Sequence, residues 1–127
     1  MNRFLLMVAA LLGFLAVGLG AFGAHALEAH FAANPTRQPT YETAVQYQMF
    51  HVVGLLAAAY LSGQTPGRLP RLAGWLFVAG TVLFSGSLYI LAVFQIGVMG
   101  AVAPLGGVSL LVGWALLGLA GWQQASS

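Results

Sequence analysis

The sequence predicts an all-α polytopic membrane protein, a four-transmembrane-helix bundle with short loops in one domain over residues 1–127. Three observations predict it. Of the 127 residues, 60% are hydrophobic and 5% charged, whereas a soluble domain carries about 25% charged residues. The mean hydropathy is +0.90. The apolar residues fall into four runs, at about 4–27, 41–61, 72–93 and 98–122. Each is long enough to cross a hydrocarbon core of about 30 Å at about 1.5 Å of rise per residue.

The first run follows Arg3 and ends in Ala24-His25-Ala26, the small-x-small pattern of a signal cleavage site. A signal core is only about 7–15 residues long, so this longer run reads as a span. Glu28 to Thr40 holds Asn34-Pro35 and Pro39 and reads as a loop, with His30 in its solvated part. Thr40 is placed to cap the second helix, with Glu42 in the first turn, where the helix dipole favours an anion. Ser62 to Pro70 (SGQTPGRLP) is a turn. The last two runs are separated by only a few residues around Gln95 to Gly97, which makes them antiparallel neighbours. The runs are continuously apolar rather than alternating, and an open sheet edge in lipid would strand its backbone polar groups, so helices are preferred over strands. Tyr41, Trp75, Phe94 and Trp122 lie near run ends, where interfacial aromatics concentrate.

The net charge of +2 comes from Arg3, Arg37, Arg68 and Arg71 against Glu28 and Glu42. Only Arg68 and Arg71 are close together, too little basic surface for a nucleic-acid partner. Without cysteine, disulfides, thiolate chemistry and cysteine-bound zinc or iron–sulfur clusters are excluded. With four spans, Arg3, Arg68 and Arg71 share one side and Arg37 lies on the other. Basic residues favour the cytoplasm, which places both termini and the middle loop inside.

Glycine occurs 17 times. Lipid gives helices little reason to bury apolar surface against each other, so close approach through small residues matters. Ala16, Gly20 and Ala24 share a face of the first helix, as do Ala9 and Gly13; Ala103 with Gly107 and Ser109 with Gly113 repeat the spacing in the fourth. The pattern suits packing within one chain or between copies. Pro104, inside the fourth run, cannot donate to the Gly100 carbonyl, so a kink and a freed acceptor are expected.

The second helix carries the costly residues. Its first turns read Tyr41-Glu42-Thr43-Ala44-Val45-Gln46-Tyr47-Gln48-Met49-Phe50-His51. Strongly polar groups within a span usually face protein or a water-filled cavity. At about 100° per residue, Glu42 and Gln46 share one face, Tyr47 and His51 a nearly opposite one, and Tyr41 and Gln48 fall between. His51 is roughly 15 Å along the helix, near the bilayer middle. The third helix adds Ser85, Ser87 and Tyr89. The expectation is one polar cluster in the outer half of the bundle, drawing on His25, Glu42, Gln46, Tyr47, Gln48, His51 and Tyr89. Each has a plainer role: Glu42 can answer its helix N-terminus, and a histidine one turn from Tyr47 is more often an interhelical hydrogen-bonding group than a metal or haem ligand. No zinc-protease, nucleophile-elbow, phosphate-loop or dinucleotide motif occurs, which gives no support for an enzyme and implies neither metal nor cofactor.

Four segments together carry a resemblance: GAFGAHAL (20–27), YETAVQYQMFHVVGLL (41–56), FSGSLYIL (84–91) and APLGGVSLLVGW (103–114). The set resembles the small inner-membrane proteins of the YgdD/YwdK type, a family of unknown function with a eukaryotic transmembrane relative. The resemblance covers nearly the whole chain except Glu28 to Pro39. It implies a four-span protein of the bacterial plasma membrane, and no activity, substrate or cofactor. Its segments contain the candidates His25, Tyr41, Glu42, Gln46, Tyr47, Gln48, His51, Ser85, Tyr89 and Pro104.

The leading functional expectation is a non-enzymatic membrane protein whose polar pocket binds a small molecule or lipid, or which docks to a larger membrane complex. Two alternatives stand beside it: an oligomeric transporter or channel with Glu42 and His51 handling protons or cations, and a haem- or quinone-associated redox subunit with His25 or His51 as ligand. Partners are the bilayer itself and either further copies or a larger assembly. The cysteine-free background allows the orientation to be tested directly. A membrane-impermeant maleimide should modify Thr36→Cys in intact cells and Gln64→Cys only after permeabilisation; the reverse pattern would invert the topology.

Overall fold

The computed structural model describes residues 1–126. Helix α1 runs Arg3–His25, the short α2 runs Glu28–Ala33, and a 3-10 turn covers Pro35–Arg37. Three long helices follow: α3 Gln38–Gln64, α4 Leu69–Phe94 and α5 Met99–Ser126. Among the described residues, four helices are long and apolar enough to cross a membrane. The fold is the all-α, four-span architecture that composition and run length required.

Local chemistry sets the ends. Asn2 caps α1 by accepting from the Leu5 N–H at 3.1 Å, and its own N–H reaches the Ala59 carbonyl of α3 at 2.9 Å. Pro39 and Pro70 stand in the first turns of α3 and α4, where the missing N–H costs nothing. Helix α4 stops at Gln95, in the left-handed region at φ 56, a conformation that costs a non-glycine residue about 1–2 kcal/mol. The Gln95 amide donates to Asn34 Oδ1 at 3.1 Å, so this turn is tied to the connection between α2 and α3.

That connection departs from the expected solvated loop. Phe31 of α2 is buried with Tyr41 and Ala92, and His30 Nε2 lies 2.8 Å from the Ala92 carbonyl. A carbonyl only accepts, so His30 donates from Nε2. Ala92 belongs to the last turn of α4, whose carbonyls lack intrahelical donors. The segment is therefore a small folded cap over the α3/α4 end. Helix α3 also begins earlier than expected, at Gln38, with no side-chain cap. Thr40 lies inside the helix, and Glu42 lies beyond the first turn, which holds no acid.

The long helices form a row. Helix α1 packs on α3, α3 on α4 and α4 on α5, with slighter contact of α1 with α4 and of α3 with α5. Helices α3 and α4 are the inner members and bury the largest shares of their spans. The buried residues of α3 include Tyr41, Ala44, Gln48, His51, Leu55 and Ala58, which alternate by three and four. Those of α5 follow the same seven-residue rule: Ala103, Gly106, Leu110, Gly113, Leu117 and Ala120. Such a stripe winds slowly round a straight helix, so paired helices cross at a shallow left-handed angle.

Phe77 of α4 is the largest fully buried side chain. Its ring lies where a Cβ on Gly54 of α3 or on Gly113 of α5 would stand, at 2.9 Å in each case. One aromatic side chain is thus clasped by two glycines on flanking helices. Gly106 plays a different part: a Cβ there would press on the α4 backbone at Gly80 O and Leu83 C, both 2.9 Å away. At this point α4 and α5 touch main chain to main chain. Gly107, one residue on, would meet only the Phe84 ring at 3.8 Å, an ordinary contact. Gly106→Ala should therefore lower stability in detergent by about 1–3 kcal/mol, the usual cost of overpacking, while Gly107→Ala stays within about 0.5 kcal/mol. Reversible unfolding of the two variants compares them directly.

Candidate functional site

A polar side chain in the hydrocarbon region has no water to bond, so its partner must be another helix. Gln48 of α3 is only 3% exposed. Its amide N–H donates to the Leu12 carbonyl of α1 at 2.8 Å, and its Oε1 accepts from the Tyr89 hydroxyl of α4 at 2.7 Å. One side chain therefore joins three helices. Tyr41 donates to the Leu19 carbonyl of α1 at 2.5 Å, and Ser85 of α4 donates to the Ala44 carbonyl of α3 at 2.7 Å. Ser109 of α5 donates to the Leu76 carbonyl of α4 at 2.8 Å. Ser87 stays local, bonding the Phe84 carbonyl of its own helix.

His51 is 5% exposed and both its ring nitrogens are engaged. The Trp114 indole N–H of α5 points to Nε2 at 2.9 Å. An indole can only donate, so Nε2 is the acceptor and Nδ1 carries the proton. Nδ1 then donates to the Tyr47 carbonyl at 2.6 Å. The imidazole is held neutral in one tautomer, with no lone pair left for an iron or a metal. Among the described residues no group of three His, Cys, Asp or Glu side chains is placed to hold a metal ion.

All the candidates but His25 divide among three places. Tyr41, Gln48, Ser85 and Tyr89 form the hydrogen-bonded seam just described. Glu42 and Gln46 open instead onto a recess of about 270 Å³ between α1, α2 and α3, shared with Gly20, Gly23, Phe31 and Gln38. Tyr47, His51 and Pro104 border a second recess of about 410 Å³, on the other side of α3, with Phe84, Gly107 and Trp114. The single outer cluster expected from the sequence is thus two recesses separated by a packed helix. His25 is exposed at the end of α1 and bonds to none of the others. Pro104 stands in the second turn of α5 on its exposed side.

Sequence reasoning missed Trp114, Gln38, Phe31 and His30. Gln38 was within reach, because it stands one helical turn before Glu42 and two before Gln46. Trp114 was not, because it lies 63 positions from His51. Thr81 was also passed over. Its hydroxyl is, among the described residues, the buried side-chain atom left without a hydrogen-bond partner.

The four apolar spans, the interhelical hydrogen bonds and the lateral recesses define a polytopic helical membrane protein. The chain belongs to the family described as "Protein of unknown function (DUF423)", which its residues 19–107 match. It is 49% identical to the UPF0382 membrane protein YwdK of Bacillus subtilis over 81% of this chain and 83% of that one. It is 47% identical to a UPF0382 membrane protein of Staphylococcus saprophyticus, covering 88% and 91%. With the UPF0382 inner membrane protein YgdD of Escherichia coli it shares 40% identity over 91% and 87% of the two chains. No solved structure matches the chain.

The seam predicts a measurable coupling. Gln48→Met and Tyr89→Phe should each destabilise the protein, and the double variant should lose less than the sum of the two. The expected coupling is about 0.6 kcal/mol, the usual scale of interhelical bonds in lipid. A strictly additive cycle would mean that the Tyr89–Gln48 bond contributes nothing.

Proposed function

We propose that the protein is a non-enzymatic binding protein of the bacterial plasma membrane that holds an ammonium group in the recess between α1, α2 and α3. The observation that carries this reading is a ladder on α3. Gln38, Glu42 and Gln46 stand one helical turn apart along the same recess, and among the described residues no hydrogen bond or ion pair occupies their side chains. Everywhere deeper in the bundle, nearly every buried polar group is matched. Here the exposed side chains of a carboxylate and two amides line a hollow walled by Phe31 and Tyr41.

The chemistry selects the ligand class. A carboxylate attracts a cation, amide oxygens accept N–H bonds, and aromatic faces favour cations by their ring quadrupole. The floor is thin because Gly23 lies directly beneath the Tyr41 ring. The ends of the molecule are also unlike. Arg3, Arg68 and Arg71 lie at the end that carries the termini, whereas Glu28, Glu42 and Arg37 lie at the other. By the bias of arginine toward the cytoplasm, both termini are inside and the recess lies toward the outer surface. An ammonium there can come from the headgroup of a lipid such as phosphatidylethanolamine or from a small soluble amine.

Transport by a route through Glu42 and His51 has less support, because these two residues open onto different sides of α3. The test uses protein in nanodiscs of phosphatidylglycerol with increasing phosphatidylethanolamine, and separately with soluble ethanolamine. Thermal stabilisation should rise saturably with one of the two, which identifies the source. Glu42→Gln should weaken that binding about tenfold or more, since a hydrogen bond to a charged group contributes about 1.5–3 kcal/mol. Indifference to both amines, or an unaltered response in Glu42→Gln, would defeat the proposal. Proton or cation flux in proteoliposomes that Glu42→Gln abolishes would replace it with transport.

A further inference from the structure

We infer that the recess on the opposite side of α3 is a second binding site, for a planar, lipid-soluble ring compound that carries a carbonyl oxygen, the chemistry of a quinone. It is independent of the ammonium recess, shares no residue with it and stands on different observations.

The walls are rings. Tyr47 lies against Phe84 with centroids 4.6 Å apart and stacks over His51 at an interplanar angle of 25°. Trp114 faces them from α5, held by its hydrogen bond to His51 and packed on Phe77 at 4.9 Å. Flexible acyl chains gain no special contact from such walls, whereas a flat ring can stack on them with offset geometry. At Gly107 a Cβ would already stand in ordinary contact with the Phe84 ring, at 3.8 Å, so a larger side chain there would intrude on the recess. The opening faces sideways: Tyr47 is 40% exposed and Trp114 is 41% exposed. A ligand therefore enters from the bilayer, not from water.

One polar group in this recess is unspent. His51 uses both nitrogens and Trp114 uses its only N–H. Among the described residues the Tyr47 hydroxyl makes no hydrogen bond. Tyr47 sits four residues from His51, the midpoint of α3, which is about 6 Å along the helix. Acyl chains supply no acceptor at that depth, and an unmade hydroxyl bond in an apolar medium costs several kcal/mol on a water-to-alkane scale. A carbonyl oxygen on a ring stacked against Phe84 would accept it. The volume of about 410 Å³ lies in the range of small-ligand sites and admits a substituted single ring with the start of an alkyl tail.

Tryptophan fluorescence tests this. Trp75→Phe with Trp122→Phe leaves Trp114 as the sole reporter, and Trp75→Phe with Trp114→Phe leaves Trp122, which is 73% exposed near the end of α5. A short-tailed benzoquinone is titrated into nanodiscs containing each protein. Trp114 emission should be quenched saturably, and Trp122 emission only in proportion to the quinone dissolved in lipid. Gly107→Leu in the Trp114 reporter should fill the floor and convert its quenching to the linear form. Tyr47→Phe should raise the half-saturating quinone fraction about tenfold, the worth of one hydrogen bond in a dry site. A cyclohexane analogue without carbonyls should fail to compete. Linear quenching of both reporters, or equal competition by the carbonyl-free ring, would overturn the assignment without depending on whether the Gly107 variant folds.

Discussion

Hydrocarbon cannot hydrogen-bond, and most of this structure follows from that constraint. Helix α3 carries an amide and an imidazole at depths where water is excluded, and each reaches across to a neighbouring helix. Gln48 binds α1 and α4 at once; His51 binds α5. Such bonds are individually modest, typically below about 2 kcal/mol in lipid. Their larger effect is on register. A slide of one residue along any interface would strand a donor in oil, while the apolar contacts beside it would hardly notice. The glycines do the complementary work of bringing backbones close enough for these short reaches, most clearly at Gly106 against α4.

The fold class was legible because it rests on lengths and compositions, which a sequence displays directly. The candidate residues were legible for the same reason: a glutamate, two glutamines and a histidine in an apolar run are conspicuous. Their partners were not. Leu12 lies 36 positions from Gln48 and Trp114 lies 63 from His51, and nothing local encodes such distances. Some of what was missed was nonetheless readable. The three-four alternation of Ala103, Gly106, Leu110, Gly113, Leu117 and Ala120 marks the packed face of α5, and it selects Gly106 over its neighbour Gly107. The small-residue pairs had favoured Gly107, one position and about 100° away. The cap formed by α2 escaped because its polar composition resembles a loop, while its anchor is a single buried phenylalanine, Phe31, and a histidine bond to α4.

The division of the polar residues has a simple geometric origin. Glu42 and Gln46 project nearly opposite to Tyr47 and His51 on one helix, and a helix flanked on both sides cannot direct opposite faces into one cavity. Since α3 is an inner member of a row, each face meets a different neighbour. Toward α1 and the cap it presents charge and amides near the membrane surface; toward α4 and α5 it presents rings near mid-depth. The two hollows therefore differ in polarity because they differ in depth, and the sequence order along α3 fixes both.

A row of four helices cannot enclose a ligand as a ring of helices can, so both recesses open laterally. This limits what the protein can do and also makes weak sites useful. A molecule that partitions into the bilayer is already concentrated there and has lost part of its orientational freedom. Binding then costs less than capture from bulk water, where lost translation and rotation alone cost several kcal/mol. At the two proposed sites, the Glu42 carboxylate and the Tyr47 phenol would each supply selectivity with a single bond. The outward faces of α1 and α5, lined by large apolar residues such as Phe14 and Leu111, complete the match to lipid that the row requires.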